Sequence, residues 1–283
     1  MRVGIGLPNT VPGGARTLVD WARRADDGPF STLGVLDRVV YDSVEAFTAL
    51  AAAAAVTDRV ELATMVAIAP LRTPAALAKQ AASVAALAGG RFTLGLGLGG
   101  RHDDYDVSGV EHRTRGARFS EQLAYLRGAF DGAGIGPSTS FGAADSGVTL
   151  LVGGGSGPAY ARMARFADGY AHGGGPPRAF GSAAHSARAA WRDLGRPGEP
   201  LLWGQGYFAL GGSDVAERGA AYLRDYYAFT GPFAERIAAG GLTSARAVKD
   251  FVRGYAAEGC DELILFPAVA DLDQVDRLAE ALA

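Results

Sequence analysis

The sequence predicts an α/β fold of the (β/α)8 TIM barrel type, a single domain over residues 1–283 with insertions near the barrel mouth. Short runs rich in Val, Ile and Leu alternate with longer segments whose apolar residues recur every three or four positions, the period switch of βα units. Eight such runs occur, the number at which parallel strands close on themselves. With 283 residues and 48% hydrophobic content, the chain is long enough to bury one large core.

The first strand is RVGIGL (2–7), and the helix after it carries the apolar stripe Leu18, Trp21, Ala22 and Ala25. TLGVL (32–36) is the second strand and RVELATMVAI (59–68) the third, with an Ala-rich helical run, Ala46 to Val56, between them. Thr73 and Pro74 open the third helix, Leu77, Ala81, Val84 and Ala88 form its stripe, and Gly89 and Gly90 end it. RFTLGLGL (91–98) is the fourth strand, followed by a helix with Phe119, Leu123, Leu126 and Phe130. VTLLV (148–152) is the fifth, and Ser156, Gly157 and Pro158 start the next helix. DGYAH (168–172) precedes the stripe Phe180, Ala184, Ala187, Trp191 and Leu194, and LLWGQGYFAL (201–210) precedes Val215, Gly219, Tyr222 and Tyr226. DELILF (261–266) is the eighth strand, closed by a helix with Val275, Leu278 and Leu282. Gly132 to Gly147 reads as a loop, and Phe229 to Ser244 as an insertion before an extra helix.

Composition excludes several classes of function. A net charge of -3 and a pI near 5.8 give no basic footprint for nucleic acid or an anionic membrane, so the expected partner is a small molecule. Cys260 is the one cysteine, which precludes an intrachain disulfide or a multi-thiolate metal site and favours a cytoplasmic protein. The N-terminus lacks the pattern of a secretory signal, and Ala46 to Val56 is too short to span a bilayer. The two lysines, Lys79 and Lys249, fall inside predicted helices, which disfavours Schiff-base chemistry. HxH, HExxH and G-x-S-x-G patterns are absent, so no metal site and no serine nucleophile are expected.

In such a barrel the chemistry sits at the C-terminal ends of the strands. That nominates Asn9, Asp37 and Arg38, Met65 to Pro70, Gly99 to Tyr105, Gly153 to Gly157, His172 to Gly175, Tyr207 and Phe266. The strongest local signal is VGGGSGPAYARMARFADGY, where Gly153, Gly154, Gly155 and Ser156 lead into a helix start suited to a phosphate; an ordinary tight βα turn is the plainer alternative. GLGLGG (95–100) is not followed by the acidic residue of a dinucleotide fingerprint. Its glycines make room either for a flat ring or for dense packing. Asp37 and Arg38 are expected either to meet a ligand or to form an ion pair that braces the mouth. His102 and His172 follow strands and are the acid–base candidates, while Asp103, Asp104 and Asp106 read as a solvated polar loop. With lysine, metal and triad routes weakened, a phosphate-anchored organic cofactor is the economical solution.

RVGIGLPN, the run RVELATMVAIAPLRTPAALAKQAASVAALAGGRFTLGLGLG continuing through DDYDVSGVEHRTRGARFSEQL, VGGGSGPA with ADGY, and DELILF together resemble the luciferase-like monooxygenase family, in its F420- and flavin-dependent branch. The resemblance implies a (β/α)8 barrel whose reduced FMN or F420 ring lies across the mouth, over a strand-three bulge that often holds a non-prolyl cis peptide, by position Met65–Val66. It implies that the phosphate meets Gly153, Gly154, Gly155 and Ser156, with Asn9, Gly97, Gly99 and Arg101 also near the cofactor. Many relatives carry histidine where this chain has Arg38, and often tryptophan where it has Gly100. Two reactions are implied: oxygenation with reduced FMN and oxygen, or hydride exchange with F420. Arg38 and Arg101 would stabilise negative charge, and His102, His172 or Asp37 would handle protons. A homodimer is the implied assembly. Two other readings stay open: a non-catalytic flavin-binding protein, and a cofactor-free sugar-phosphate isomerase using Asp37 or Glu262 as base.

Overall fold

The computed structural model describes residues 1–133 and 148–283. Eight parallel strands close into a barrel in sequence order: β1 (Arg2–Gly6), β2 (Thr32–Val35), β3 (Glu61–Ile68), β4 (Phe92–Gly97), β5 (Thr149–Gly153), β6 (Gly169–Ala171), β7 (Leu201–Phe208) and β8 (Glu262–Pro267). Closure comes from β8 pairing with β1, Val3 opposite Leu263 and Ile5 opposite Leu265. The helices are α1 (Gly14–Asp27), α2 (Ala46–Ala54), α3 (Pro74–Leu87), α4 (His102–Val107), α5 (Arg115–Gly128), α6 (Gly157–Phe166), α7 (Pro177–Asp193), α8 (Ser213–Tyr226), α9 (Phe233–Ala239), α10 (Ala245–Ala257) and α11 (Gln274–Leu282).

Alternation along each strand divides the apolar residues between two cores. Leu263 and Leu265 of β8 face the helices, in one cluster with Trp21, Leu77, Leu123 and Phe180. Ile264 and Phe266 point the other way and fill the barrel with Ala63, Leu151 and Trp203. Phe266 fits because β1 and β2 carry glycine beside it: a Cβ on Gly6 would lie 2.1 Å from its ring. The helical stripes are buried as expected apart from Val215 and Leu282, which are half-buried, and Leu194, which is 53% exposed and caps α7 one step beyond the last turn.

The β3–β4 register shifts between Thr64 and Ala67, and the Met65–Val66 peptide there is cis. The irregularity turns Val66 towards β4, where glycine makes way for it. A Cβ on Gly97 would come within 2.6 Å of Val66, and one on Gly95 within 2.2 Å of the Thr64 carbonyl. Dense packing against the bulge therefore accounts for these two glycines.

At the opposite rim, Glu262 is fully buried. It accepts a hydrogen bond from Ser31 and lies 2.7 Å from Arg2. The insertion after α8 contains α9, and Leu242 forms a parallel bridge with Phe208. Of the loop expected at Gly132 to Gly147, residues 134–147 lie outside the described residues; up to Ala133 the chain makes a π-turn, Ala129–Ala133. Among the described residues no helix is long and apolar enough to cross a membrane.

Candidate functional site

The C-terminal mouth holds a cavity of about 470 Å3, within the range of small-molecule sites. Leu36, Asp37 and Arg38 after β2, Met65, Val66 and Ile68 of β3, and Gly99, Gly100, Arg101 and Asp104 after β4 form one side. Gly153 to Gly155, Tyr170 to Gly174, Gln205, Tyr226, Tyr227 and Phe229 form the other. An apolar chamber of about 530 Å3 adjoins it and shares Gly173, Gly174 and Tyr227.

Asp37 and Arg38 do not pair with each other. Consecutive residues of an extended segment diverge, and each finds a distant partner. Asp37 accepts from Arg72 Nη1 and Nη2 at 2.6 and 3.0 Å and from the Ile68 amide at 2.7 Å, so it clamps the end of β3. Arg72 also donates to Glu45 at 2.9 Å, and Glu45 caps α2 by accepting from the Thr48 amide. Arg38 donates from Nε to Asp104 at 2.7 Å and from Nη2 to the Val40 carbonyl at 2.8 Å. Its Nη1 is buried with no partner among the described residues.

The acidic run after β4 is thus no solvated loop. It begins α4, and Asp104 is buried where it accepts from Arg38 and from the amides of Val39 and Val40 at 3.0 and 2.7 Å. Arg101 donates to Asp103 from Nε and Nη2 and to the Tyr226 carbonyl from Nη1; these hydrogen bonds hold the Asp103 carboxyl below its ordinary range.

His172 follows β6, its amide donating to the Trp203 carbonyl at 2.8 Å. Burial pushes its imidazole below the usual histidine range. Nε2 is buried without a partner among the described residues, while Nδ1 lies 3.5 Å from the Tyr170 hydroxyl. His102 is elsewhere: it is exposed and stacks on His112 with ring centroids 3.8 Å apart. Asn9 lies behind the wall, holding Leu36 and Val44 in place through three hydrogen bonds.

Between β5 and α6, Gly153 and Gly155 line the cavity, whereas Ser156 does not. Gly154 takes φ 126, a conformation open to glycine. Ser156 makes no side-chain cap; its carbonyl accepts the amides of Ala159 and Tyr160 at 2.9 and 3.1 Å. Gly155, Ser156 and Gly157 are exposed beside the positive end of the α6 dipole.

The structure thus brings Asp37, Arg38, Met65, Val66, Gly99, Arg101, Gly153 to Gly155 and His172 around one space, and leaves Asn9, Gly97, His102 and Ser156 off its wall. Sequence reasoning missed Tyr170, Gln205, Tyr226, Tyr227 and Phe229. Gln205 had a signal, as the one amide in the otherwise apolar and glycine-rich WGQGYF. It donates to the Gly173 carbonyl at 3.1 Å.

The family model for luciferase-like monooxygenases matches residues 1–271. The chain belongs to the luciferase-like monooxygenase family. Uncharacterised proteins of Mycobacterium tuberculosis and Mycobacterium bovis are each 39% identical over 143 residues, 47% of this chain and 49% of theirs. The chain therefore spans about half the length of the curated relatives it matches. Among solved structures, this luciferase-like chain is similar to an F420-dependent secondary alcohol dehydrogenase in complex with an F420-acetone adduct (TM-score 0.80, 16% identity, 99% of this chain and 97% of that one). It is also similar to a monooxygenase from Streptomyces bottropensis (0.75, 18%, 100% and 98%). A third is the oxygenating constituent of 3,6-diketocamphane monooxygenase from Pseudomonas putida, in complex with FMN (0.74, 13%, 100% and 96%). At these identities the likeness is one of fold.

Proposed function

We propose that this chain is a flavin- or F420-dependent oxidoreductase acting on a small organic substrate at the barrel mouth. The observation that carries the reading is the mouth cavity itself. It is glycine-lined beside a helix start, aromatic at Tyr170, Tyr226 and Phe229, and faced by two buried nitrogens without partners among the described residues, on Arg38 and His172. Two similar folds hold F420 and FMN, which supports a cofactor of that kind and leaves hydride exchange and oxygenation as its two forms.

The residues present fit such a group. No Cβ on Gly155 or Gly173 would meet anything within 4 Å, so a flat ring has room there, and the exposed amides of Gly155, Ser156 and Gly157 suit a phosphoryl end. When bound, the cofactor supplies the electrons. Met65 and Val66 would help to hold it, and Tyr226, Tyr227 and Phe229 would exclude water. His172 Nε2 holds or moves a proton, its neutral form favoured by burial. Arg101 and Arg38 supply positive charge near the reacting atoms.

An isomerase has less support. Asp37 is enclosed by three donated hydrogen bonds, and Glu262 sits at the far rim, leaving neither as a free base. We further propose one catalytic domain over residues 1–283, a homodimer and a cytoplasmic location, which the family resemblance and the lone cysteine support.

The test is a titration with FMN and with F420, followed by absorbance and fluorescence, then an assay for substrate-dependent oxygen consumption or hydride exchange. Saturable association of one chromophore at micromolar concentration is expected. Association of neither overturns the reading, and association with no turnover of any substrate makes the chain a flavin-binding protein.

A further inference from the structure

The mouth cavity carries two guanidinium groups, and one of them has a nitrogen to spare. Arg101 donates from all three of its nitrogens, at 3.2, 2.9 and 3.0 Å. Among the described residues Arg38 uses Nε and Nη2 alone, and its Nη1 has no partner there on a side chain that is 4% exposed. A donor removed from water with no acceptor is costly, so native structures rarely keep one without a ligand or an ordered water to meet it.

The group is also held still. Asp104, 1% exposed, grips Nε and is itself fixed by the Val39 and Val40 amides. The Tyr41 and Tyr226 rings flank the guanidinium at 5.2 and 5.6 Å. A donor locked this way is preorganised for one acceptor position.

Charge decides what the acceptor is. Asp104 at 2.7 Å and Asp103 at 3.7 Å already answer the Arg38 cation. Across the mouth, Arg38, Arg72 and Arg101 face Asp37, Glu45, Asp103 and Asp104, three formal positive charges against four negative. A carboxylate at Nη1 would add a third anion beside a guanidinium that Asp104 and Asp103 already answer. An uncharged carbonyl oxygen accepts the same N–H and adds no charge.

We infer that Arg38 Nη1 is the specificity-determining donor for the oxygen of an uncharged carbonyl substrate, a ketone or aldehyde, and that the site selects against carboxylates. The apolar body of that substrate lies against Tyr226 and Phe229. The inference rests on reading the mouth cavity as the reacting site.

The test uses the full chain and three probes of matched size, acetophenone, benzoate and isopropenylbenzene, titrated by ligand-observed NMR. Acetophenone is expected to bind about tenfold more tightly than either of the others, the ratio one net hydrogen bond gives. Arg38→Lys keeps a cation beside Asp104 and removes Nη1; it should bring acetophenone within about twofold of isopropenylbenzene. Should that variant fail to fold, the double variant Arg38→Met with Asp104→Asn removes the donor and its counter-charge together, and the same loss of preference is expected. Benzoate binding as tightly as acetophenone, no measurable acetophenone binding, or a ketone preference that survives both variants overturns the inference. So does a loss of FMN or F420 affinity in Arg38→Lys equal to the loss for the ketone, which would assign Nη1 to the chromophore. If the unmodified chain binds neither chromophore yet keeps its ketone preference, the proposed function fails and the role of Arg38 stands.

Discussion

At the scale of single residues, position in the chain and position in space part company at Asp37. Its carboxylate is committed to Arg72 and the Ile68 amide, which makes it a positioning residue for the end of β3. Asp37→Asn leaves Arg72 with the more exposed Glu45 as its remaining carboxylate partner and is expected to lower unfolding stability by about 3 kcal/mol, read from urea denaturation. His172 gives a pH signature. Burial depresses its folded-state pKa below the ordinary 6.5, so the unfolded chain takes up the proton first as pH falls. Stability is therefore full above about 6.5 and is lost as pH drops through that value towards the folded one. His172→Gln should flatten part of this slope in unfolding measurements between pH 7 and 5, with the remainder left to His112, which is also depressed by burial. The same variant should lose the acid limb of the pH–turnover profile if Nε2 is the proton carrier; an unchanged profile removes it from the scheme.

At the scale of elements, the eight strands and most helical stripes were legible because period-2 and period-3.6 patterns are local. The partners of Asp37 and Arg38 were not, since Arg72 and Asp104 lie 35 and 66 residues further on. Adjacency misled there, as it did for the acidic run, whose middle member turns inward on α4 while its neighbour Asp106 stays exposed. The β5–α6 turn was legible because its glycines are consecutive, although Ser156 follows them off the wall. Gly154 is the residue of that turn with positive φ, and a Cβ there would sit 2.9 Å from the Ala159 side chain. Gly154→Ala is expected to cost about 1–2 kcal/mol and to weaken chromophore binding severalfold, both measurable in one thermal-shift titration.

At the scale of the whole molecule, the barrel has its open cavity at one rim and a buried carboxyl at the other. Burial raises the Glu262 pKa, so the folded chain holds this proton to higher pH than the unfolded chain does. The associated stability is present below about 4.5 and is lost as pH rises through the folded value. Glu262→Gln should therefore raise stability at pH 7, by about 1 kcal/mol, since Gln keeps an acceptor for Ser31 and carries no buried charge. Chromophore affinity should not change. A fall in affinity would mean that the two rims are coupled through the strands.

The near-cancellation of cations and anions around the opening reaches beyond which molecules are admitted, to how fast they arrive. With guanidinium groups and carboxylates interleaved a few ångströms apart, the field decays before it extends into bulk water, and an approaching anion is not steered. Stopped-flow association of FMN or F420 should accordingly vary by no more than about twofold between low and high ionic strength, whereas a basic funnel would slow steeply as salt is added.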